Sequence, residues 1–423
     1  MKKSIILYGL SEMFEDIYYA MRSCYNVLGI ADRNADAGKS MAEKLNIRYI
    51  EPESVSQIPY DFIYIIPEAA YSRIFHDLVY KFGAKRENIF LYSDFFKEIS
   101  LSLGELNPDK TIYVIRRICG KVGIFAIFIP VFACLLDLPE DYEVYFDFIN
   151  YRNVYMKESE IGSVNTYEKW FIQPSGLSAE EVYNSKNVVL APAIGKFMFW
   201  QEDNIKKTDR DFLKKCALTV RKYIKPNPKF ARILEEERKK IFCYNEKTCA
   251  VIYRGTDYLL AKTYNHRIQP DLDMLIKQVR ILQKQWNFTK IYLVTEDQKG
   301  HERFLKEFGE SVVFSERRMI EEYPVLPAES AIVNIKFDRE DDEYLKGMEY
   351  MRQVIIASEC DCMISGLNTG YRGARLLAGG FEECYEFDLG TYGIDDDSYC
   401  TPWGHYILLE EEKKVEQRRK GTT

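Results

Sequence analysis

The chain has 423 residues, which is more than a single hydrophobic core normally organises, so two or three domains are expected. Its residues are 47% hydrophobic and 29% charged, which is an ordinary globular composition. The formal net charge of −7 comes from 65 acidic and 58 basic residues that are interspersed along the chain. No basic face is indicated, and a nucleic-acid-binding protein is therefore disfavoured.

Cysteine and histidine usage argues against a bound metal. The chain has ten cysteines, none of them in a Cys-x-x-Cys pair, and only four histidines, so the spacing of a structural zinc site is missing. The N-terminal apolar run is too short for a signal peptide. We therefore expect free thiols in a cytoplasmic protein.

One apolar run, residues 122–136, raises the question of a membrane contact. It is 15 residues long and contains Pro130, whereas a membrane-spanning helix needs about 20 residues. A buried helix in a globular core is the favoured interpretation. Peripheral association with the inner face of the membrane is left open.

Residues 1–105 alternate between hydrophobic and amphipathic segments, which predicts a parallel, doubly wound, Rossmann-like sheet. Gly9 ends the first predicted strand and Asp32 the second, as in a dinucleotide-binding unit. The segment GLSEMF nevertheless lacks the GxGxxG spacing. We expect a Rossmann-like domain of unknown role that does not bind NAD. An NAD(P)-dependent, sugar-modifying oxidoreductase is kept as an alternative.

A polar stretch with a proline, residues 103–110, predicts a linker to a second α/β segment, residues 110–245. This segment reads as a strand, the turn CGKVG, the apolar helix and another strand. Residues 150–192 are aromatic and polar with little regular period, which is typical of a lid or another functional loop. The charged, periodic pattern from Thr208 to Phe242 predicts long helices.

A third α/β unit spans residues 246–410, and a charged tail follows at 411–423. Three of its predicted strands end in polar clusters: Arg254, Thr256 and Asp257; Thr295, Glu296 and Asp297; Asn368, Thr369 and Gly370. In open α/β sheets, ligands bind outside the carboxyl ends of the strands. An arginine fork beside the free amides of a helix N-terminus predicts a phosphate cradle. No Walker A lysine motif is present, so a P-loop NTPase is disfavoured.

Each cluster also has an ordinary structural explanation. Arg254 and Asp257 could pair with each other, the segment TED could cap a helix, and LNTG could be a plain strand-to-helix turn. The functional interpretation depends on the three clusters occurring together at one edge of a sheet.

Three motifs in this unit resemble, in order and spacing, those of the fucosyltransferases of the GT-B fold, in the α-1,6-fucosyltransferase and nodulation-type branch. They read VIYRGTDY…NHRIQPDLDMLI, IYLVTED and IIASECDCMISGLNTGYRGARLL. Bacterial capsule and polysaccharide glycosyltransferases look closer still, through segments similar to RGTDYLLAKTYNHRIQP and NTYEKWFIQPSGLSAEEVYNSKNVVL. The resemblance covers residues 110–410. It implies a GT-B pair after the first domain, with 110–245 on the acceptor side and 246–410 binding the nucleotide sugar.

The resemblance implies a role for individual residues. Arg254 matches the arginine that holds the β-phosphate of GDP-fucose, and Asp257 matches the aspartate of the same motif. Gly255 and Ile252 stand where the family has a second arginine and a histidine. Lys262 stands where the α-1,6 enzymes have the glutamate proposed as the base, and lysine is a poor base unless it is desolvated.

Two groups of site residues follow from the resemblance. The implied catalytic residues are Arg254, Asp257, Lys262 and, as a conceivable base in the aromatic stretch, Glu168. The implied nucleotide-sugar-binding residues are Gly120, Gly123, Arg254, Thr256, His266, Glu296, Asp297, Gln353, Asn368, Thr369 and Gly370. Gln353 stands near the family's guanine-reading aspartate, and the glycines belong to a loop expected to face the nucleotide.

The implied activity is an inverting, metal-independent transfer of fucose or a related sugar from GDP-fucose or another nucleotide sugar to a glycan acceptor in surface polysaccharide biosynthesis. No cofactor besides the donor is implied. Negative charge grows on the departing diphosphate, and a fixed arginine with backbone amides would stabilise it. A non-catalytic nucleotide-binding protein is a further alternative, because Gly255, Ile252 and Lys262 depart from the family pattern.

Overall fold

The computed structural model describes residues 2–118, 120, 122–136, 138–193, 210–256, 259, 262, 266–322 and 332–393. The chain divides into two compact units. Unit 1 takes the described residues of 1–120, 137–197 and 223–225, and unit 2 takes those of 121–136, 198–222 and 226–423. The boundaries expected at 105–110 and at 245 stay predictions.

Unit 1 begins with a four-stranded parallel sheet in the order β2-β1-β3-β4. Its strands are β1 (Ser4–Tyr8), β2 (Asn26–Ala31), β3 (Phe62–Ile65) and β4 (Ile89–Leu91). The helices are α1 (Phe14–Arg22), α2 (Ala35–Leu45), α3 (Tyr71–Tyr80) and α4 (Tyr92–Phe95). The strands alternate with helices because short continuous hydrophobic runs alternate with amphipathic runs of period 3.6. The predicted Rossmann-like α/β class is confirmed for this segment.

A second sheet of unit 1 has the order β5-β9-β6-β7, and only the β5–β9 pair is antiparallel. The elements of this segment are β5 (Ile99–Leu101), β6 (Leu106–Arg116), β7 (Tyr142–Asp147), β8 (Phe171–Ile172), α6 (Ala179–Val182), β9 (Ser185–Leu190) and β10 (Lys225–Pro226). The expected irregular character of 150–192 is largely confirmed, since only short helical turns and strands interrupt it before β9.

The linker predicted at 103–110 is wrong in its second half, because β6 already begins at Leu106. Leu106 pairs with Ser185, and the register then shifts before Thr111. Asn107 has a left-handed φ of 48° and the Asn187 side chain donates to the Pro108 carbonyl at 2.8 Å. The bulge accommodates a proline, which cannot donate to a regular strand pair.

The apolar run forms helix α5 (Ile124–Leu136) in unit 2, and most of its side chains are buried. The Phe125 ring packs edge-on against Tyr350 with centroids 5.7 Å apart, and a Cβ at Gly373 would collide with the same phenylalanine. The prediction of a buried core helix is confirmed. Among the helices that the structure describes, none is both long and apolar enough to cross a bilayer.

Unit 2 is built on a five-stranded, all-parallel sheet in the order β13-β12-β11-β14-β15. Its strands are β11 (Thr248–Ile252), β12 (Lys290–Val294), β13 (Val312–Val313), β14 (Cys362–Gly366) and β15 (Glu383–Phe387). Its other helices are α7 (Arg210–Tyr223), α8 (Pro228–Ile241), α9 (Leu272–Trp286), α10 (Gln298–Phe308), α11 (Asp342–Ser358) and α12 (Thr369–Ala378). Strand β11 is buried throughout and lies at the centre, between β12 and β14.

Candidate functional site

The carboxyl ends of three neighbouring strands in unit 2 lie at the same level. Ile252, at the end of β11, pairs with Val294 of β12 on one side and with Ser365 of β14 on the other. The polar segments 253–256, 295–297 and 367–370 therefore leave the sheet side by side. The three clusters predicted to meet at one edge follow adjacent strands in the structure.

A buried carboxylate organises this edge. The Glu296 side chain is only 2% exposed, and its Oε1 lies 3.1 Å from Nε of Arg254. The same oxygen accepts a hydrogen bond of 3.0 Å from the hydroxyl of Thr256. The Arg254 side chain is 13% exposed, so its ion pair with Glu296 lies mostly below the protein surface. Glu296 therefore fixes the arginine that the sequence placed at the centre of the site.

A second guanidinium, from Arg317, reaches the same carboxylate. Its Nη1 lies 3.7 Å from Oε2 of Glu296 and donates a hydrogen bond of 3.0 Å to Oε1 of Gln353. The amide nitrogen of Gln353 donates in turn to the Ser315 carbonyl at 3.3 Å. Gln353, which is 1% exposed, thus uses its side chain to position Arg317. Sequence reasoning missed Arg317, because it lies four residues after the short strand β13 and belongs to no recognised motif.

Tyr350 of α11 joins the arginines to the first turn of α12. The Arg317 guanidinium lies over its ring, 5.5 Å from the centroid, and a Cβ at Gly370 would collide with its hydroxyl. Burial raises the pKa of Tyr350, and the nearby positive charges of Arg254 and Arg317 only partly oppose this. The phenol therefore stays protonated at neutral pH and remains a hydrogen-bond donor. Sequence reasoning missed this residue too.

Asn368 caps helix α12 and anchors its first turn. Its Oδ1 accepts from the Tyr371 amide at 3.0 Å, and its Nδ2 donates to Gln269 Oε1 at 3.2 Å. Gln269 also donates to the Leu367 carbonyl at 2.9 Å, which ties the preceding loop to this turn. The first-turn amides of a helix have no acceptor within the helix, and they carry the positive end of its dipole. Thr369 and Gly370 occupy that turn.

Asp297 has the ordinary structural role that the sequence left open. Its Oδ1 caps α10 by accepting from the Gly300 amide at 2.6 Å, and its own amide donates to Thr295 Oγ1 at 3.1 Å. Burial raises the pKa of Asp297, an effect that the amide of Gly300 opposes and the charge of Glu296 reinforces. Of the two acids in TED, Glu296 faces the arginines and Asp297 faces the helix.

The remaining predicted residues lie elsewhere or are only partly defined. Asp257 lies outside the described residues. Lys262 has a left-handed φ of 41°, and His266 is exposed, with its carbonyl accepting from the Tyr392 amide at 2.9 Å. Gly120 belongs to unit 1 and Gly123 to unit 2.

Glu168 lies in unit 1, on the exposed side of a short helical turn. Its Oε1 accepts a hydrogen bond of 3.0 Å from the side chain of Gln173. The neighbouring aromatics, Tyr167 and Trp170, are buried at 2% and 1% exposure, and Tyr167 stacks on Phe146. These two rings contribute to the core of unit 1, and the carboxylate of Glu168 is the polar group that this turn presents to solvent.

The carboxyl edge of the first sheet in unit 1 uses its acidic residue for loop structure. The two oxygens of Asp32 accept hydrogen bonds of 2.7 Å from the amides of Leu10 and Asn34. A Cβ at Gly9 would lie 2.5 Å from the ring of Pro67, so this proline covers the glycine. The arrangement disfavours a ribose contact by Asp32 and a close approach of a pyrophosphate to Gly9.

No protein-family model and no curated protein matches this chain. Among solved structures, the fucosyltransferase NodZ from Bradyrhizobium is 14% identical over 67% of this chain and 97% of its own, with a TM-score of 0.39. A UDP-GlcNAc 2-epimerase from Methanocaldococcus jannaschii is 9% identical over 92% of this chain and 85% of its own, with a TM-score of 0.24. Arabidopsis thaliana FUT1 in complex with GDP is 9% identical over 90% of this chain and 69% of its own, with a TM-score of 0.29. Likenesses this weak carry no argument about what the chain does.

Proposed function

We propose that the chain is an inverting, metal-independent glycosyltransferase that transfers fucose or a related sugar from GDP-fucose, or from another nucleotide sugar, to a glycan acceptor. The observation that supports this most directly is the pair of guanidiniums, Arg254 and Arg317, held by the buried carboxylate of Glu296. Tyr350 connects this pair to the N-terminal turn of α12. We call this group of residues, together with Asn368, the arginine cradle.

The charge of the cradle suits a diphosphate. Two guanidiniums and one carboxylate leave a net charge of +1, and the N-terminus of α12 adds roughly half a positive charge. A buried cationic site of this kind attracts phosphate oxygens, which also accept hydrogen bonds from the guanidinium forks and from helix amides. The position at the carboxyl edge of a parallel sheet is where open α/β folds bind their ligands.

The cradle also suits the chemistry of sugar transfer. As the bond between the sugar and the diphosphate breaks, negative charge grows on the leaving group. Arg254, Arg317 and the Tyr350 hydroxyl are already oriented by Glu296, Gln353 and burial, so little reorganisation is needed when that charge develops. The leaving group could be stabilised by these residues alone.

The remaining parts of the proposal come from the sequence resemblance. The proposed donor carries fucose as its sugar and guanine as its nucleobase. The proposed GT-B pair consists of residues 110–245 and 246–410. The proposed acceptor is a surface polysaccharide made at the inner face of the membrane. Six further residues remain proposed to contact the nucleotide sugar or to support residues that do: Gly120, Gly123, Thr256, His266, Asp297 and Gln353. Asp257, Lys262 and Glu168 are proposed catalytic residues, with Glu168 presenting an exposed carboxylate as a base.

A direct assay tests this proposal. The purified chain is incubated with GDP-fucose, GDP-mannose, UDP-sugars and dTDP-sugars, with and without bacterial glycan acceptors, and the released nucleotide is quantified by chromatography. We expect GDP release from GDP-fucose, increased by an acceptor. A folded sample that releases no nucleotide from any donor, and that also fails to bind GDP, would contradict the proposal.

A further inference from the structure

A cavity opens in unit 2 beside helix α12, on another side of the helix from the arginine cradle. It has a volume of about 230 Å³ and lies among α7, α12 and the edge strand β15. Its walls include Arg210, Tyr371, Arg375, Phe381, Cys384 and Glu386. Tyr371 points towards β15, where its hydroxyl lies 3.4 Å from Sγ of Cys384, whereas the preceding Gly370 abuts Tyr350 in the cradle.

Arg375 lines this cavity with a guanidinium that the protein leaves largely unpartnered. The residue is 6% exposed, and its one described hydrogen bond runs from Nη1 to the Tyr371 hydroxyl at 3.3 Å. Its Nε is buried without an acceptor, and among the residues that the structure describes no carboxylate forms an ion pair with it. A buried charge without a partner destabilises the folded protein. Such a group is retained most easily where a ligand completes its hydrogen bonds.

Glu386 supplies the opposite requirement. It also lines the cavity, and its buried Oε2 receives no hydrogen bond. The cavity is therefore lined by one donor group, Arg375, and one acceptor group, Glu386, whose hydrogen-bonding capacity the protein uses only in part. The formal charges balance, because Arg210 and Arg375 are matched by Glu382 and Glu386. A ligand that both accepts and donates hydrogen bonds, and that carries no net charge, satisfies these groups best.

We propose that this cavity is a second binding site, apart from the arginine cradle, for a neutral polyol the size of one sugar ring. Its volume is below the roughly 300–1,000 Å³ of sites for drug-sized ligands, which limits the occupant to a small molecule or one residue of a glycan. The hydroxyl groups of the polyol accept hydrogen bonds from Arg375 and donate hydrogen bonds to Glu386. The rings of Tyr371 and Phe381 offer apolar surface to the sugar. The proposal goes beyond the proposed transferase activity and does not rest on it.

Saturation-transfer NMR and calorimetry on the full chain test this site. The probes are the methyl glycosides of glucose, galactose and fucose, with glucuronate and inorganic phosphate for comparison, each with and without saturating GDP. We expect at least one neutral glycoside to bind more tightly than either anion, and GDP to leave its signal unchanged. Tighter binding of an anion, displacement by GDP, or no glycoside binding to the folded chain would overturn the proposal.

Two variants locate the binding in the cavity. Arg375→Met removes the guanidinium at similar size, and Glu386→Gln keeps the shape while removing the charge. We expect each to weaken glycoside binding by about tenfold or more, as lost hydrogen bonds to charged groups do. Arg232→Met, at an arginine with an 83% exposed side chain, is the control and should bind normally.

The melting temperature shows whether a variant that loses glycoside binding is still stably folded. Arg375→Met should not lower it, because the variant removes an unpaired buried charge. Its GDP binding should stay at the wild-type level, so this result is independent of the cradle. Unchanged glycoside binding in both Arg375→Met and Glu386→Gln would overturn the proposal.

Discussion

Oε1 of Glu296 lies 3.1 Å from Nε of Arg254, and the pair is buried at the carboxyl edge of the sheet in unit 2. An acid placed against an arginine normally reduces its attraction for phosphate. Here a second guanidinium, from Arg317, meets the other carboxylate oxygen and leaves the group cationic. The carboxylate therefore orients two cations without neutralising them.

Replacing Arg254 with alanine removes the central donor of the cradle. We expect kcat/KM for donor turnover to fall by about a hundredfold or more, since the loss of one fixed donor to a developing anion has about this effect. Steady-state release of GDP from GDP-fucose measures it. Arg232→Ala is the matched control, because the Arg232 side chain is exposed and pairs with Glu236 on its own helix. Turnover that is measurable in the wild type and unaltered by Arg254→Ala would show that the arginine has been assigned the wrong role.

A role for Arg317 in nucleotide binding is predicted from the structure alone. Arg317→Ala should weaken GDP binding by about ten- to a hundredfold, because a charged hydrogen-bond donor to the diphosphate is lost. Arg317→Lys keeps the charge but loses the planar fork, so it should recover only part of the affinity. Calorimetric titration with GDP measures both. Equal affinity in the wild type and Arg317→Ala would place this arginine outside the nucleotide site.

The contact between Gly370 and Tyr350 can be tested by stability. Gly370→Ala should lower the free energy of unfolding by about 1–3 kcal/mol, because the new methyl group collides with the Tyr350 hydroxyl. In Gly370→Ala/Tyr350→Phe the hydroxyl is gone, and part of the loss should be recovered. Urea unfolding measures these values. Gly123→Ala serves as the control, because the space around that glycine is open. A double variant no more stable than Gly370→Ala would rule out this contact.

His301 on α10 predicts a dependence of stability on pH. Burial lowers the pKa of His301 below its ordinary 6.5, and its ring packs edge-on against Phe314 with centroids 4.4 Å apart. Below about pH 6.5 the unfolded chain binds a proton here more readily than the folded chain, so stability falls as the pH falls through this range. His301→Phe should therefore lose less stability than the wild type between about pH 7.5 and about pH 5, as followed by urea unfolding. An equal loss in both proteins would contradict the prediction.

Much of the fold could be predicted from the pattern of hydrophobic residues along the chain. The strands β11, β12 and β14 are apolar runs that end in polar residues, and their parallel order follows from the helices between them. The β6 extension across Pro108 could not be predicted, because it depends on pairing with Ser185 far along the chain. The local proline favoured a linker, but the long-range pairing with Ser185 makes this segment part of β6.

The site was predictable only where its residues follow strands directly. Arg254, Glu296 and Asn368 stand at strand ends, so the sheet topology brings them together. Arg317 and Tyr350 come from a loop and from the middle of a helix, and only tertiary packing places them beside Glu296 and Gly370. The different roles of Glu296 and Asp297 likewise depend on side-chain direction, which sequence spacing does not determine.

We propose that the arginine cradle binds the diphosphate of a nucleotide sugar. Calorimetric titration of GDP into the wild type and into Arg254→Ala, with UDP, CDP, dTDP and NAD as comparison ligands, tests it most directly. We expect saturable binding of a nucleoside diphosphate to the wild type, tightest for GDP, and a loss of at least about tenfold in affinity in Arg254→Ala. No binding of any nucleoside diphosphate to the folded wild type, or equal affinity in the variant, would contradict it.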